Sequence, residues 1–249
     1  MSITLVGSAT GEGDSVAGNY DVTLPGGVLA GDIVIVATGF ASPNATDEAP
    51  GVTTGGYTEE AELYVTDSRA VNLSLNWKIM GSTPDTVVNC IASANIGYAG
   101  VSCVQVWRGV NQLTPMDVTM TTATGNNSPT PNSPTITPVT KGAIVLSIGG
   151  YIGYSSTLAG GEEDTTVTEP TGYSNVAFES RYGVTAAFHV GIASKAWSGS
   201  GAEDPGAWSG ITMTNNAANC WAAATIALRP ALSLLPVSTI SKMQPFLAR

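Results

Sequence analysis

The sequence predicts an all-β protein, a jelly-roll-like antiparallel β-sandwich with a pseudo-two-fold internal repeat. Three observations lead there. Runs rich in Val, Ile, Thr and aromatic residues recur between clusters of Gly, Pro, Asn and Ser, which is the pattern of short strands joined by tight turns. The run VNLSLNWKI at 71–79 alternates strictly, with Val71, Leu73, Leu75, Trp77 and Ile79 on one face and Asn72, Ser74, Asn76 and Lys78 on the other. A period of two predicts a half-buried strand. Finally, the stretch 98–117, YAGVSCVQVWRGVNQLTPMD, is written again at 219–230 as NCWAAATIALRP, with Arg229 over Arg108 and Leu228 over Trp107.

Taken in order, 2–7 (SITLVG) and 20–24 (YDVTL) read as strands around a loop at 8–19, and Pro25-Gly26-Gly27 as a turn. IVIVATGF at 33–40 is apolar on both faces and reads as a central strand. The Pro-, Gly- and Thr-containing segment 41–56 reads as a loop. Strands are then expected from Gly56 toward Thr66, over 71–79, and over TVVNCIASA, ahead of the run that ends in Arg108-Gly109. Residues 111–140 carry four prolines between positions 129 and 138, so they predict an extended crossing segment with no central strand.

The repeat resumes at Gly142. GDIVIVATGF (31–40) matches GAIVLSIGGY (142–151), TGGYTE (54–59) matches EPTGYSN (169–175), and VNLSLNWKI matches FHVGIASKA (188–196) with Lys195 over Lys78. Thr83-Pro84-Asp85 matches Asp204-Pro205-Gly206. The offset grows from 111 to 117 to 121, as insertions in loops would make it. The expected organisation is a sandwich over 1–230, built from repeats at about 25–110 and 142–230, followed by an arm at 231–249. A single sheet would leave an apolar face in water, so the repeats are expected to close on each other.

Composition narrows the function. The 249-residue chain has a net charge of -10 and nine Lys and Arg that do not cluster, which disfavours a phosphate-binding surface and hence nucleic acid as a partner. No apolar run reaches the ~20 residues of a membrane-crossing helix, and MSITLVGSATGEGDS has no basic segment followed by an apolar core, so neither a membrane nor a secretory leader is expected. Cys90, Cys103 and Cys220 lie in strand-like runs and read as buried free thiols. No Cys/His spacing of a metal site occurs, and no cofactor is expected.

Catalytic signals are sparse. His189 falls over Asn72 and is expected to point out of the core. A serine triad would need it, yet the faint nucleophile strings Gly13-Asp14-Ser15 and 198–201 sit on no strand-to-helix elbow. The acidic residues fall mainly in loops, among them Glu162-Glu163-Asp164, which lacks the alternate-oxygen spacing of a calcium loop. The chain is therefore expected to be no enzyme. Trp197 and Trp208 flank the loop 198–207 and are candidates for stacking on a glycan.

The tail differs from the body. Lys242 and Arg249 make it +2, so with -10 overall, residues 1–230 carry -12. Leu232, Leu234, Leu235, Ile240, Phe246 and Leu247 are its large apolar residues, and Pro236 and Pro245 oppose one continuous helix. This composition predicts an assembly arm that docks on a neighbour or on its own body.

The pieces GDIVIV (31–36), GYT (56–58), NWKI (76–79), WRGV (107–110) with PMD (115–117), and IALRP (226–230) resemble a family of β-sandwich virion proteins of tailed bacteriophages and prophages. The resemblance covers about residues 25–230 and omits the arm. It implies a capsid-surface decoration, head fibre or tail component, located in the virion and held in a homo-oligomer or by other capsid or tail proteins. The sandwich opens near the first residue with no coiled coil, which favours a decoration. The alternative is a tail adhesin or carbohydrate-binding module recognising host surface polysaccharide.

Overall fold

The computed structural model describes residues 2–13, 19–42, 47–66, 70–91, 100–126, 128, 130–153, 167–182, 187–210 and 220–232. Among these residues there is no helix, and the strands form antiparallel sheets.

Eight strands come from the first half: β1 (Thr4–Gly13), β2 (Asn19–Thr23), β3 (Ile33–Ser42), β4 (Gly51–Val52), β5 (Thr58–Thr66), β6 (Ala70–Ile79), β7 (Val87–Ile91) and β8 (Gly100–Arg108). They build a five-stranded sheet, β1-β8-β3-β6-β5, and a three-stranded sheet, β2-β7-β4. The second half supplies β9 (Thr121–Asn126), β10 (Asn132–Ser133), β11 (Ile144–Gly153), β12 (Ser174–Tyr182), β13 (Ala187–Ala196), β14 (Gly206–Ala207) and β15 (Cys220–Leu228). Its large sheet reads β9-β15-β11-β13-β12, and β10 pairs β14 in a small one. An isolated bridge between Thr168 and Ser209 lies where β4 pairs β7 in the first half. Read from β1 and from β9, the two large sheets have the same relative order, and in each half the chain passes back and forth between a large and a small sheet.

The layers explain the patterning of β3. Ile33, Ile35 and Ala37 face a central core between the two large sheets, packing with Leu146, Ile148, Phe188, Val190 and Ile192. Val34, Val36 and Phe40 face the other way, into a second core closed by Tyr20, Val22 and Val88 of the small sheet. A third core forms on the far side, around Val145, Ala193, Trp197 and Trp208. Both faces of the central strands are thus covered, as unbroken apolar runs require. Polar bonds join the large sheets as well. Gln105 Nε2 donates to Asn175 O at 2.5 Å, and Cys103 Sγ donates to Val190 O at 3.2 Å. At the rim, Arg181 pairs with Glu12 at 2.6 Å. That bridge is partly solvated and contributes little.

Two glycines make room for an aromatic ring between the large sheets. Phe188 lies against both Gly39 and Gly150. A methyl on Gly39 would stand 2.6 Å from Phe188 Cε1 and 2.6 Å from the backbone oxygen of Asn72, which cannot swing aside. Gly39→Ala is therefore expected to destabilise the fold by about 1–3 kcal/mol, the usual cost of overpacking, measured by urea unfolding.

Several elements differ from the sequence expectation. Residues 8–13, expected in a loop, continue β1. Their glycines permit close crossing: a methyl on Gly11 would stand 2.7 Å from Val22 Cγ2, and Gly13 faces the Tyr20 ring. Composition alone reads such glycines as a turn, whereas β2 needs them for contact. Residues 51–52, also expected in a loop, form β4. β6 is buried on both faces at 70–76, not half-buried. Asn72, Ser74 and Asn76 lie under the segment around β4, where Asn72 Oδ1 accepts the Glu48 N–H at 2.9 Å and Asn76 Nδ2 donates to Ser74 Oγ at 2.7 Å. The crossing segment contains β9, which sits at a sheet edge before the prolines.

Candidate functional site

The chemistry-bearing side chains gather where strands end. At the close of β8, Arg108 forks onto Asp32, with Nε to Oδ1 at 2.9 Å and Nη2 to Oδ2 at 2.7 Å. Asp32 is buried, and its Oδ2 also accepts the Leu29 N–H at 2.8 Å. This turn leads into β3, and Gly31 enters it at φ 87°, a conformation glycine adopts without penalty. At the close of β15 the arrangement recurs with another donor of charge. Arg229 Nε donates to Asp117 Oδ1 at 3.1 Å, and Asp117 Oδ2 accepts the N–H groups of Val139 at 2.6 Å and Thr140 at 2.9 Å. Position 143, aligned with Asp32, is an alanine, so Asp117 brings the carboxylate from the crossing segment. Burial works to raise the Asp117 pKa, but the hydrogen bonds from Thr140, Val139 and Arg229 outweigh it and hold the carboxyl below its ordinary value.

A second pair of clusters sits at the ends of β6 and β13. Lys78 Nζ bonds Asp85 at 2.7 Å and lies 5.3 Å from the Tyr57 ring centre. Lys195 Nζ bonds Glu203 at 2.7 Å and lies 5.7 Å from the Tyr173 ring centre. The alignment sets Asp85 over Gly206, but the carboxylate that meets Lys195 is Glu203, three residues earlier. Burial first, then the neighbouring carboxylate, raises the pKa of both tyrosines well above the ordinary value, so their hydroxyls stay protonated. Each cluster is a cation held between an aromatic face and an anion.

The candidate glycan platform is not presented to solvent. Trp208 is 2% exposed and Trp197 is 8% exposed. Trp208 Nε1 donates to Ser147 Oγ at 3.1 Å, and its ring fills the slot left by Gly149 and Gly191. Trp197 Nε1 donates to Gly201 O at 3.2 Å. A side chain with apolar body and polar tip both engaged in a core offers no face to a sugar. His189 points away from the central core, as its position over Asn72 implies, but it is buried there, stacked on Tyr151 at 4.3 Å and Phe178 at 6.0 Å. The three cysteines are buried thiols outside any disulfide. Glu162-Glu163-Asp164 and the arm residues Leu234, Leu235, Ile240, Phe246 and Leu247 lie outside the described residues. Leu232, the first apolar residue of the arm, is 79% exposed.

One surface was not legible from motifs. Leu29 (55% exposed), Leu113 (93%) and Val139 (68%) join Leu232 among the exposed large apolar residues. All four belong to the end closed by the two Arg–Asp pairs. Leu29 is bonded to Asp32, Val139 to Asp117, and the residue after Pro230 donates from Ala231 N to Gly109 O at 2.8 Å. Leu113 follows Asn111, whose backbone N–H donates to Arg229 O at 2.8 Å. The available signal was weak: isolated Leu and Val residues in otherwise Gly-, Pro- and Thr-rich turns.

Fold and site together define a class: an all-β protein of antiparallel sheets in layers, whose reactive side chains serve the joints of the scaffold. Comparisons with protein-family models, with curated proteins and with solved structures return no match.

Proposed function

We propose that this chain is a non-enzymatic structural protein of a bacteriophage virion, a decoration on the capsid surface held by contacts between copies and by its C-terminal arm. The observation that carries this reading is the strand order. The alternation between large and small sheets, β1-β8-β3-β6 with β2-β7-β4 in the first half and a like order in the second, supports a jelly-roll-like reading in which β5 and β12 join the large sheets instead of the small ones. Jelly rolls are used by viral capsid and lectin domains. The matching order of the two halves supports an internal duplication in which two such units share one central core. The roles of the polar groups agree with it. Asp32, Asp117, Lys78 and Lys195 each secure a turn or strand end, and the acidic body would keep copies soluble before assembly. A glycan-recognition reading would need a surface other than Trp197 and Trp208.

Immunogold labelling of purified phage particles tests the reading, and label along the capsid is the expected result. Particles that contain none of the protein would refute it. A chain lacking 232–249 is expected to fold but to be missing from particles, as measured by quantitative blotting of virions against lysate. Normal incorporation of that chain would remove the arm from the account.

A further inference from the structure

We propose that the end carrying Leu29, Leu113, Val139 and Leu232 is the seat for residues 233–249 of a second copy of this chain. The inference deepens the reading above, and takes from it only that copies associate. Four observations converge on the seat.

The loop at Leu113 is held in a defined shape. Asn111 Oδ1 accepts the N–H groups of both Leu113 and Thr114 at 3.0 Å, and Arg229 Nη1 donates to Thr114 Oγ1 at 3.0 Å. A side chain that is 93% exposed is thus presented on a fastened turn. Such presentation favours contact, because little ordering is left to be lost on binding.

The exposed apolar residues also share this end although they come from three separate turns and the start of the arm. Scattered exposed leucines are ordinary, whereas a gathering of them marks an interaction site. The buried carboxylates at this end are already paired, Asp32 with Arg108 and Asp117 with Arg229. An apolar partner can therefore cover it without stranding either pair.

The occupant follows from what leaves at Leu232. The next 17 residues carry Leu234, Leu235, Ile240, Phe246 and Leu247, with Lys242 and Arg249 as their only charges. Their apolar side chains match the seat, and their +2 complements a body of -12. Fully extended, such a segment reaches ~56 Å, enough to pass from one molecule to the next. Exchange of a basic arm between acidic bodies also offsets the repulsion that copies of -12 would otherwise meet.

Sedimentation velocity on the full-length chain tests this. The wild type is expected to associate, and Leu113→Asp/Val139→Asp to raise the dissociation constant at least ~10-fold. Both positions are exposed, so unchanged circular dichroism and melting are expected. Val176→Asp, an exposed valine on β12, is the control and should associate as the wild type does. Leu234→Asp/Leu235→Asp should match the seat variant, and the combined quadruple variant should lose no more than either pair, because both remove one contact. A monomeric wild type would overturn the proposal. So would an intact oligomer in the seat variant. If the arm variant alone dissociates, or if the two losses add independently, the arm docks elsewhere, and the seat is wrong while association through the arm stands.

Discussion

Trp208→Ala is expected to lower the free energy of unfolding by about 3–5 kcal/mol, the range for removing a large aromatic from a core. Trp208 is one of the largest fully buried side chains and the centre of the outer core of the second half. Its ring occupies space that two glycines leave free: a methyl on Gly191 would stand 2.8 Å from Trp208 Cη2, and one on Gly149 3.1 Å from Cδ1. At those two positions the strands carry no side chain to collapse into the vacated volume, so relaxation is small and the cavity term is nearly full. Ser147 Oγ would also lose its donor, although Ser133 Oγ remains at 2.8 Å. Urea unfolding at neutral pH measures the loss. A change below about 1 kcal/mol would contradict the packing described, and would return this indole to the surface role its sequence context suggests.

Asp117→Asn is expected to cost about 3 kcal/mol at pH 7, because hydrogen bonds to a charged group are worth about 1.5–3 kcal/mol each. The native carboxylate takes two backbone N–H groups and the Arg229 guanidinium at once. Asparagine has one acceptor oxygen and turns its NH₂ toward a donor. The sign of the pH dependence follows from the lowered pKa. A carboxyl held below its unfolded value of ~3.9 stabilises the fold fully above that value, and this contribution disappears as pH falls through the lower folded value. The gap between wild type and Asp117→Asn should therefore be constant from pH 7 to about pH 5 and shrink below pH 4. Denaturant melts across that range decide it. A gap that persists undiminished at pH 2 would mean that the carboxylate's charge is not what the turn uses.

These two residues show why local reading reaches only so far. Trp208 follows a Gly/Ser/Asp-rich loop, and such neighbours suggest exposure. Its burial depends on Gly149 and Gly191, which are 59 and 17 residues away, and on a small sheet only two residues wide. Asp117 sits in the Pro-x-Asp string that the sequence does single out, yet its role as the substitute for Asp32 depends on where β15 ends. The exposed leucines at the arm's exit carry no motif at all. Exposure is a property of what fails to pack nearby, and a sequence does not display it.

By itself the amino-acid sequence determined the all-β character, most strand positions, the central place of β3 and β11, and the correspondence of Arg108 with Arg229 and Lys78 with Lys195. Alternation and turn chemistry act over a few residues, so those features are written locally. Only the tertiary structure decided which faces are wet. The small sheets cover the polar face of β6 and the tryptophans of the second half, because antiparallel layers buried on both sides stack where distant glycines permit backbones to approach. It likewise decided that the end beside Leu232 stays apolar and uncovered, since no other layer of the described fold reaches it.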